Sequence, residues 1–490
     1  MIKVSSKKNK YTYNVYHLVK AFFPNEEIIQ NVDEKQESLV ALNLPGGSCF
    51  SIALEEVEAA AGDLSEMETE EAKEQAIKKE LTRLLYRYLE QQTRTTLAWG
   101  TLTGVRPTKL AMTKLEQYES MTEAEAVRRT VGAFRDEFFV SEEKAQLACE
   151  IAVREKKLLS KLDYKDGFSL YVGIPFCPSR CLYCSFTSYP IGIYAEKAKT
   201  YIDTLCKELA YVAEQYKHKR LVAIYIGGGT PTSISHELLA VLLKQIQTVF
   251  RLQEPEVADG LVEFTVEAGR PDSITPEKLA VMKEYDVTRI SINPQTMNDE
   301  TLRTIGRAHN AAQVKEAFAM ARQAGFDNIN MDLIAGLPGE DLHAMKHTLE
   351  EIRALAPESL TVHSLAIKRA ANLNQQMDDY KSTIHHDMDA MHTAAQETAQ
   401  TLGMEPYYLY RQKNIGGNLE NVGYAKPGCE CLYNILIMEE MTDIIAAGAG
   451  ASTKLVYHAE NRVERVENCK SVDDYINRFD EMLDRKRKAF

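Results

Sequence analysis

Between residues 168 and 367 two patterns alternate, and that alternation restricts the fold more than any other feature of the chain. Short apolar, β-rich runs occur at 168–174 (FSLYVGI), 221–227 (LVAIYIG), 262–268 (VEFTVEA), 288–293 (TRISIN), 328–334 (NINMDLI) and 359–367 (SLTVHSLAI). Between them lie stretches of helical pattern, such as AKTYIDTLCKELAYVAEQYKHK and SHELLAVLLKQIQTVF. The segment AAQVKEAFAMARQAG ends on Gly325, a favourable helix stop. Runs that read as buried strands, alternating with helices, predict parallel β/α units. Six strands are too few for a closed eight-stranded barrel. The expected fold is α/β, a partial (β/α)6 barrel with its functional groups at the C-terminal strand ends.

The flanks read differently. Residues 1–162 are expected to form an α+β accessory domain. Strands and turns in LVALNLPGGSCFSIAL precede a long charged amphipathic helix, EMETEEAKEQAIKKELTRLLYRYLEQQT. The loop WGTLTGVRPTKL (99–110) follows and holds the single tryptophan; it reads as a loop that packs domains together or touches a ligand. A linker is expected near 161–167, a core over 163–375, and a helix-rich C-terminal region over 376–490. A length of 490 residues accommodates two or three such domains.

Composition narrows the class. A net charge of -13 argues against a general nucleic-acid surface while leaving room for a local basic pocket. No run approaches eighteen apolar residues, so no membrane span is expected. The basic start MIKVSSKKNKYTYNVY lacks the apolar core of a signal peptide, which predicts a cytoplasmic protein with reduced thiols. Clustered cysteines there point to metal binding or catalysis before disulfides.

Three of the nine cysteines crowd into one loop, Cys177-x3-Cys181-x2-Cys184, directly after the first β-rich run. A tetrahedral structural zinc site normally takes four ligands, often as two separated pairs. Three soft thiolates instead suit a four-iron cluster with one iron left open. The spacing in this position resembles radical S-adenosylmethionine (radical SAM) enzymes. The resemblance implies a [4Fe-4S] cluster on the three cysteines, with SAM chelated at the open iron and cleaved to a 5'-deoxyadenosyl radical. GGGTPT (227–232), one β/α unit later, matches the glycine motif that holds SAM in that family.

Within that family, GGGTPT, VEAGRPDSIT, SINPQTMNDETLRTIGRAHN and NINMDLIAGLPGE resemble the oxygen-independent coproporphyrinogen III oxidase (coproporphyrinogen dehydrogenase) group. That group also contains a haem-chaperone branch and haem-degrading relatives. The N-terminal extension, TGVRPTKL, YVGIPFCPSRCLYCSF and EPYYLYRQKNIGGNLENVGYA look most like its HemZ branch. Motif by motif, the resemblance implies SAM contacts from Tyr171, Gly228, Gly229, Thr230, Glu267, Gln295, Arg307, Asp332 and Ala366, with Tyr171, Glu267 and Arg307 closest to the chemistry. Glu267 and Asp332 suit ribose hydroxyls or an ammonium, and Arg307 suits a carboxylate. The implied reaction is oxidative decarboxylation of coproporphyrinogen III to protoporphyrinogen IX in anaerobic haem biosynthesis, fed by an electron donor such as flavodoxin or ferredoxin. Radical chemistry on haem or another tetrapyrrole, and haem delivery without catalysis, are the alternatives.

Three positions depart from the group. Phe186 stands where the oxidase has a fourth cysteine, Gly173 where the oxidase and chaperone branches have histidine, and Tyr433 where the chaperone branch has a histidine thought to meet haem. The substrate's four propionates call for cations, and Arg270, Arg307, Lys368, Arg369, Arg411 and Lys413 are candidates, Arg411 and Lys413 foremost. IIAAGAGAS (444–452) resembles a glycine-rich stretch near SAM. Cys429 and Cys431 form a Cys-x-Cys pair that could ligate a metal, act in redox chemistry or sit inert. His385, His386 and His392 lack the spacing of a helical metal pair.

Overall fold

The computed structural model describes residues 1–24, 26–67, 69–104, 106–366, 371, 373, 387–411 and 419–490. They fall into two compact units, Met1–Ala152 with Arg411–Glu420, and Val153–Tyr410 with Asn421–Phe490.

The first unit carries a four-stranded sheet of β1 (Ile2–Ser6), β2 (Ile28–Val32), β3 (Val40–Asn43) and β4 (Cys49–Ile52), in the order β2-β1-β3-β4. Helices Asn9–Phe22 and Glu70–Thr93 pack apolar faces with it, burying Val15, Leu18, Leu81 and Leu85 beside Ile2 and Val4. The long charged helix begins where Thr69 caps the Ala72 N–H. Trp99 is fully buried; its Nε1 donates to Glu420 Oε2 at 2.7 Å, and Lys144 Nζ meets Glu420 Oε1 at 2.9 Å.

The second unit is built on one long sheet. Its heart is six parallel strands in sequential order, β5 (Gly167–Ile174), β8 (Arg220–Gly228), β9 (Glu263–Val266), β10 (Arg289–Ser291), β11 (Ile329–Ala335) and β12 (Ser359–Ser364). Each coincides with one β-rich run, and helices such as Ile191–Tyr216 and His236–Val249 form the crossovers. This is the open (β/α)6 barrel expected from the alternation. The helix Ala311–Gln323 starts on an Asn310–Gln313 capping box, and Gly325 follows with φ +86°.

The sheet does not stop at six strands. β15 (Asp443–Ala447) adds in parallel to β5, followed by antiparallel β16 (Ser452–Tyr457) and β17 (Arg462–Glu467). On the far side β14 (Asn421–Ala425) and β13 (Glu405–Tyr410) pair antiparallel beyond β12. The C-terminal region thus contributes strands to both flanks alongside its helices, an extension that no local rhythm in the sequence announces. Among the described residues, no helix is long and apolar enough to cross a membrane.

Candidate active site

The cysteine loop leaves β5 and is pinned at several points. Phe176–Cys177 (β6) pairs with Tyr189–Pro190 (β7), folding the loop back on its own root. The Leu182 N–H donates to Ile305 O at 2.9 Å, and Ser179 Oγ donates to Gly306 O at 3.0 Å. Cys181 is buried, and Cys177 and Cys184 are half-buried. Burial pushes the Cys177 thiol up to about 11 and raises Cys184 as well. A metal that takes the thiolate overrides such a shift by displacing the proton outright. Among the described residues no three His, Cys, Asp or Glu are placed to hold a single metal ion. A cubane cluster takes each thiolate at a different iron, so three thiols spread along one loop fit it.

The glycine segment lies against this loop. The Gly229 N–H donates to Ile174 O and the Thr230 N–H to Phe176 O, both at 2.7 Å, while Thr230 Oγ1 reaches Cys177 Sγ at 3.5 Å. Gly228 has φ +104°, open mainly to glycine. A Cβ on Gly229 would stand 2.6 Å from Phe176 O, so only glycine permits this approach.

Polar residues from the ends of β9 and β10 meet others from within β11 and β12. Tyr225 donates its hydroxyl to Glu267 Oε1. Burial nevertheless pushes Glu267 up to about 7, with the neighbouring Asp332 charge adding to the rise. Asp332 goes the other way. Burial opposes its ionisation, yet His363, Asn330 and Thr361 hold its carboxyl below the usual range. The environments therefore drive two adjacent carboxyls apart, one titrating near neutrality and one anionic. Gln295 adopts φ +68° with its N–H on Asp332 O, and its Oε1 and Asn293 Oδ1 are buried without a protein partner. Arg307, buried, donates Nη1 to Asn293 O, and its charge lies beside Tyr183 and Cys181.

Tyr171 joins Tyr225 and Tyr433 in a stack, with centroid separations of 6.4 Å (Tyr171–Tyr225) and 4.6 Å (Tyr225–Tyr433). Tyr433 is thus buried in an aromatic pile. Position 173 faces the glycine-rich stretch after β15: Tyr201 Oη donates to Gly173 O at 2.6 Å, and a Cβ on Gly448 would stand 2.5 Å from that same oxygen. Phe186 is 65% exposed. Ala366 follows the end of β12, half-buried.

Several sequence candidates lie elsewhere. Arg411 belongs to the first unit, buried over the Trp99 ring at 5.4 Å with Nη1 on Leu102 O and Gly104 O, so this guanidinium is engaged within the protein. Arg270 is 2% exposed and turned onto Asp272 and the cysteine loop. Cys431, fully buried, donates to Glu263 Oε1 at 3.2 Å. His392 meets Ser364 Oγ at 2.6 Å. Lys368, Arg369, His385, His386 and Lys413 lie outside the described residues. A cleft of 730 Å³ opens beside Met297, Thr301 and Gly339, but neither the cysteines nor Glu267 line it. Sequence reading missed Tyr225, Asn293 and His363. Tyr225 alone carried a signal, its two-residue spacing from Gly227 on β8, which puts both on one face; Asn293 and His363 carried none.

These features define a radical SAM protein, and residues 171–352 match the family model described as the Radical SAM superfamily. The chain is 41% identical over 423 residues to the oxygen-independent coproporphyrinogen-III oxidase-like protein HemZ of Bacillus subtilis, covering 86% of this chain and 82% of that one. It is 38% identical over 283 residues to the heme chaperone HemW of the same organism, covering 58% of this chain and 70% of that one. The coproporphyrinogen III oxidase HemN of Escherichia coli shares the fold, with a TM-score of 0.50 at 20% identity over 65% of this chain and 70% of that one. The chain belongs to the HemZ family of oxygen-independent coproporphyrinogen-III oxidase-like proteins within the radical SAM superfamily, and with that superfamily uses a [4Fe-4S] cluster and SAM.

Proposed function

We propose that the chain is a radical SAM oxidoreductase that oxidatively decarboxylates coproporphyrinogen III to protoporphyrinogen IX. One observation carries the SAM-binding part of the reading. Gln295 Oε1 and Asn293 Oδ1 are buried without protein partners just past β10, where the Gln295 N–H meets Asp332 O and Arg307, beside Cys181 of the three-thiol loop, meets Asn293 O. Buried acceptors left unmade are costly, so this edge is prepared for a polar ligand that completes them.

In this reading Cys177, Cys181 and Cys184 hold the cluster. Gly228, Gly229 and Thr230 offer close backbone approach to the amino-acid end of SAM. Glu267, Gln295 and Asp332 accept from its hydroxyls or ammonium, Arg307 meets its carboxylate, and Tyr171 and Ala366 flank it. When bound there, the cluster and SAM would supply one-electron radical chemistry suited to removing a hydrogen atom from a propionate β-carbon. The protein's share is to hold that C–H bond in line and keep water out. Loss of carbon dioxide, with one electron passed to a separate one-electron acceptor such as an iron–sulphur or flavin carrier, would then leave a vinyl group, and two rounds would complete the product. A flavodoxin or ferredoxin is the class of donor that would reduce the cluster. The names of the HemZ and HemN relatives supply the choice of substrate.

A second reading, haem or another tetrapyrrole as substrate or cargo, is favoured by a different observation. Arg270 and Arg411, two of the cations suited to propionates, are both buried and engaged within the protein. The burial of Tyr433 in the tyrosine stack weighs against a haem ligand at that position. Anaerobic reconstitution with reductant, SAM and coproporphyrinogen III, followed by mass spectrometry, tests the choice. Protoporphyrinogen with 5'-deoxyadenosine is the expected result. Deoxyadenosine without decarboxylation would retain the radical enzyme and discard this substrate. Stable haem binding without deoxyadenosine would favour delivery.

A further inference from the structure

Arg270 was a candidate for substrate carboxylates, yet its guanidinium points to the cysteine loop. It sits just past β9, where Pro271–Ser273 forms a single 3-10 turn and Ser273 Oγ donates back to Arg270 O at 2.7 Å. One edge of the planar fork is bidentate on Asp272, with Nε to Oδ1 and Nη2 to Oδ2 both at 2.9 Å. The other edge faces Ser179 and Cys181: Nη1 lies 3.2 Å from Ser179 Oγ, 3.3 Å from Ser179 O and 3.6 Å from Cys181 Sγ. Only an arginine has donors along two edges at fixed geometry. His309 Nδ1 stands 3.5 Å behind Asp272 Oδ1, closing the row.

We propose that the Arg270–Asp272 pair sets the reduction potential of the cluster held by Cys177, Cys181 and Cys184, through the hydrogen bond from Arg270 to the Cys181 sulphur. The inference rests on the radical SAM reading of the loop. A buried ion pair is by itself weak evidence of stabilisation, because desolvation consumes much of the attraction. Beside a cluster it has a specific effect. Reduction adds negative charge to the cluster and its sulphur ligands, so an N–H donor at a ligand sulphur favours the reduced state and raises the potential. Asp272 opposes this, and the pair is therefore a balance whose two members act with opposite sign. Arg307 also approaches Cys181, but the proposed function assigns it to SAM, so Arg270 is the residue that tests the effect alone.

The full-length chain would be reconstituted anaerobically as wild type, R270Q, R270K and D272N. Iron and sulphide are then counted, and the cluster is titrated by EPR-monitored potentiometry without SAM. R270Q should shift the reduction equilibrium at least tenfold toward the oxidised cluster, about 59 mV downward for a one-electron couple. D272N should shift it upward, and R270K, which keeps charge but loses the fork, should fall between R270Q and wild type. If R270Q holds no cluster, the upward shift in D272N decides for the proposal. Unchanged potentials, shifts of one sign in R270Q and D272N, or cluster loss in both overturn it, since the pair would then serve only the fold. In those cases a wild type that binds the cluster and cleaves SAM keeps the proposed function. A wild type that takes up no cluster removes both.

Discussion

Glu208 and Lys486 meet at 2.9 Å with neither side chain exposed to solvent. Glu208 lies on the crossover helix Ile191–Tyr216 and Lys486 on the last helix, Phe479–Ala489. The same carboxylate accepts from Tyr475 Oη, Asn468 Nδ2 and the Gly448 N–H, and so fixes the glycine-rich stretch that packs on Gly173. Lys486→Met strands a buried carboxylate charge and should cost about 3–5 kcal/mol. Urea unfolding followed by far-UV circular dichroism reads the loss. Adding Glu208→Gln should restore part of it, since the stranded charge is then gone.

Gly229→Ala brings a methyl to 2.6 Å from Phe176 O and 2.8 Å from Ile174 O, both backbone atoms that cannot swing aside. Overpacking of this kind costs about 1–3 kcal/mol, and here it displaces the root of the cysteine loop. Gly104→Ala, which meets nothing within 4 Å, should stay within about 0.5 kcal/mol of wild type. Thermal unfolding of the two variants side by side, with SAM binding by calorimetry, separates local clash from a general effect. Equal stability in both would remove the steric argument.

The pH dependence of stability carries the signature of Glu267. Its folded value is pushed up to about 7 by burial, above the ordinary value of a glutamate, 4.5. Between these values the native state binds more protons than the unfolded chain, so stability falls as pH rises. The contribution is complete below 4.5 and lost above 7, at most about 3 kcal/mol. Glu267→Gln should flatten this part of the profile measured by denaturant titration from pH 4.5 to 8. Wild-type affinity for SAM should rise across the same window if the carboxylate is the acceptor, and the variant should lose that rise.

Replacement of Cys177, Cys181 or Cys184 by alanine should each abolish cluster uptake and reductive SAM cleavage. Iron and sulphide counts after reconstitution and 5'-deoxyadenosine by chromatography measure both. Cys429→Ala and Cys431→Ala should keep cluster uptake, because Cys431 is spent on Glu263 inside the protein. A triple-alanine loop that still cleaved SAM would remove the foundation of the proposed function.

The sequence by itself determined the six parallel strands and the cysteine loop at the end of the first. Both are local signals: a strand buried on two faces writes an apolar run, and ligands on one loop sit within eight residues of each other. Gly229 and Gln295 were legible only through resemblance, since a turn glycine and a polar side chain say nothing alone about what approaches them. Tertiary structure decided the rest. The pairing of β15 with β5 and of β14 with β12 joins segments distant in the chain, which no periodicity reports, and β16 and β13 then extend those edges through adjacent antiparallel pairs. The values of Glu267 and Asp332 separate because burial and hydrogen-bond partners differ between the end of β9 and the middle of β11. Arg270 and Arg411 show the limit most plainly. In sequence each is a cation free to meet a carboxylate, and only packing shows that one turns to Asp272 and Cys181 and the other to Trp99 and backbone carbonyls. A side chain's charge is set by its chemistry, but its partner is set by which distant residues the fold buries beside it.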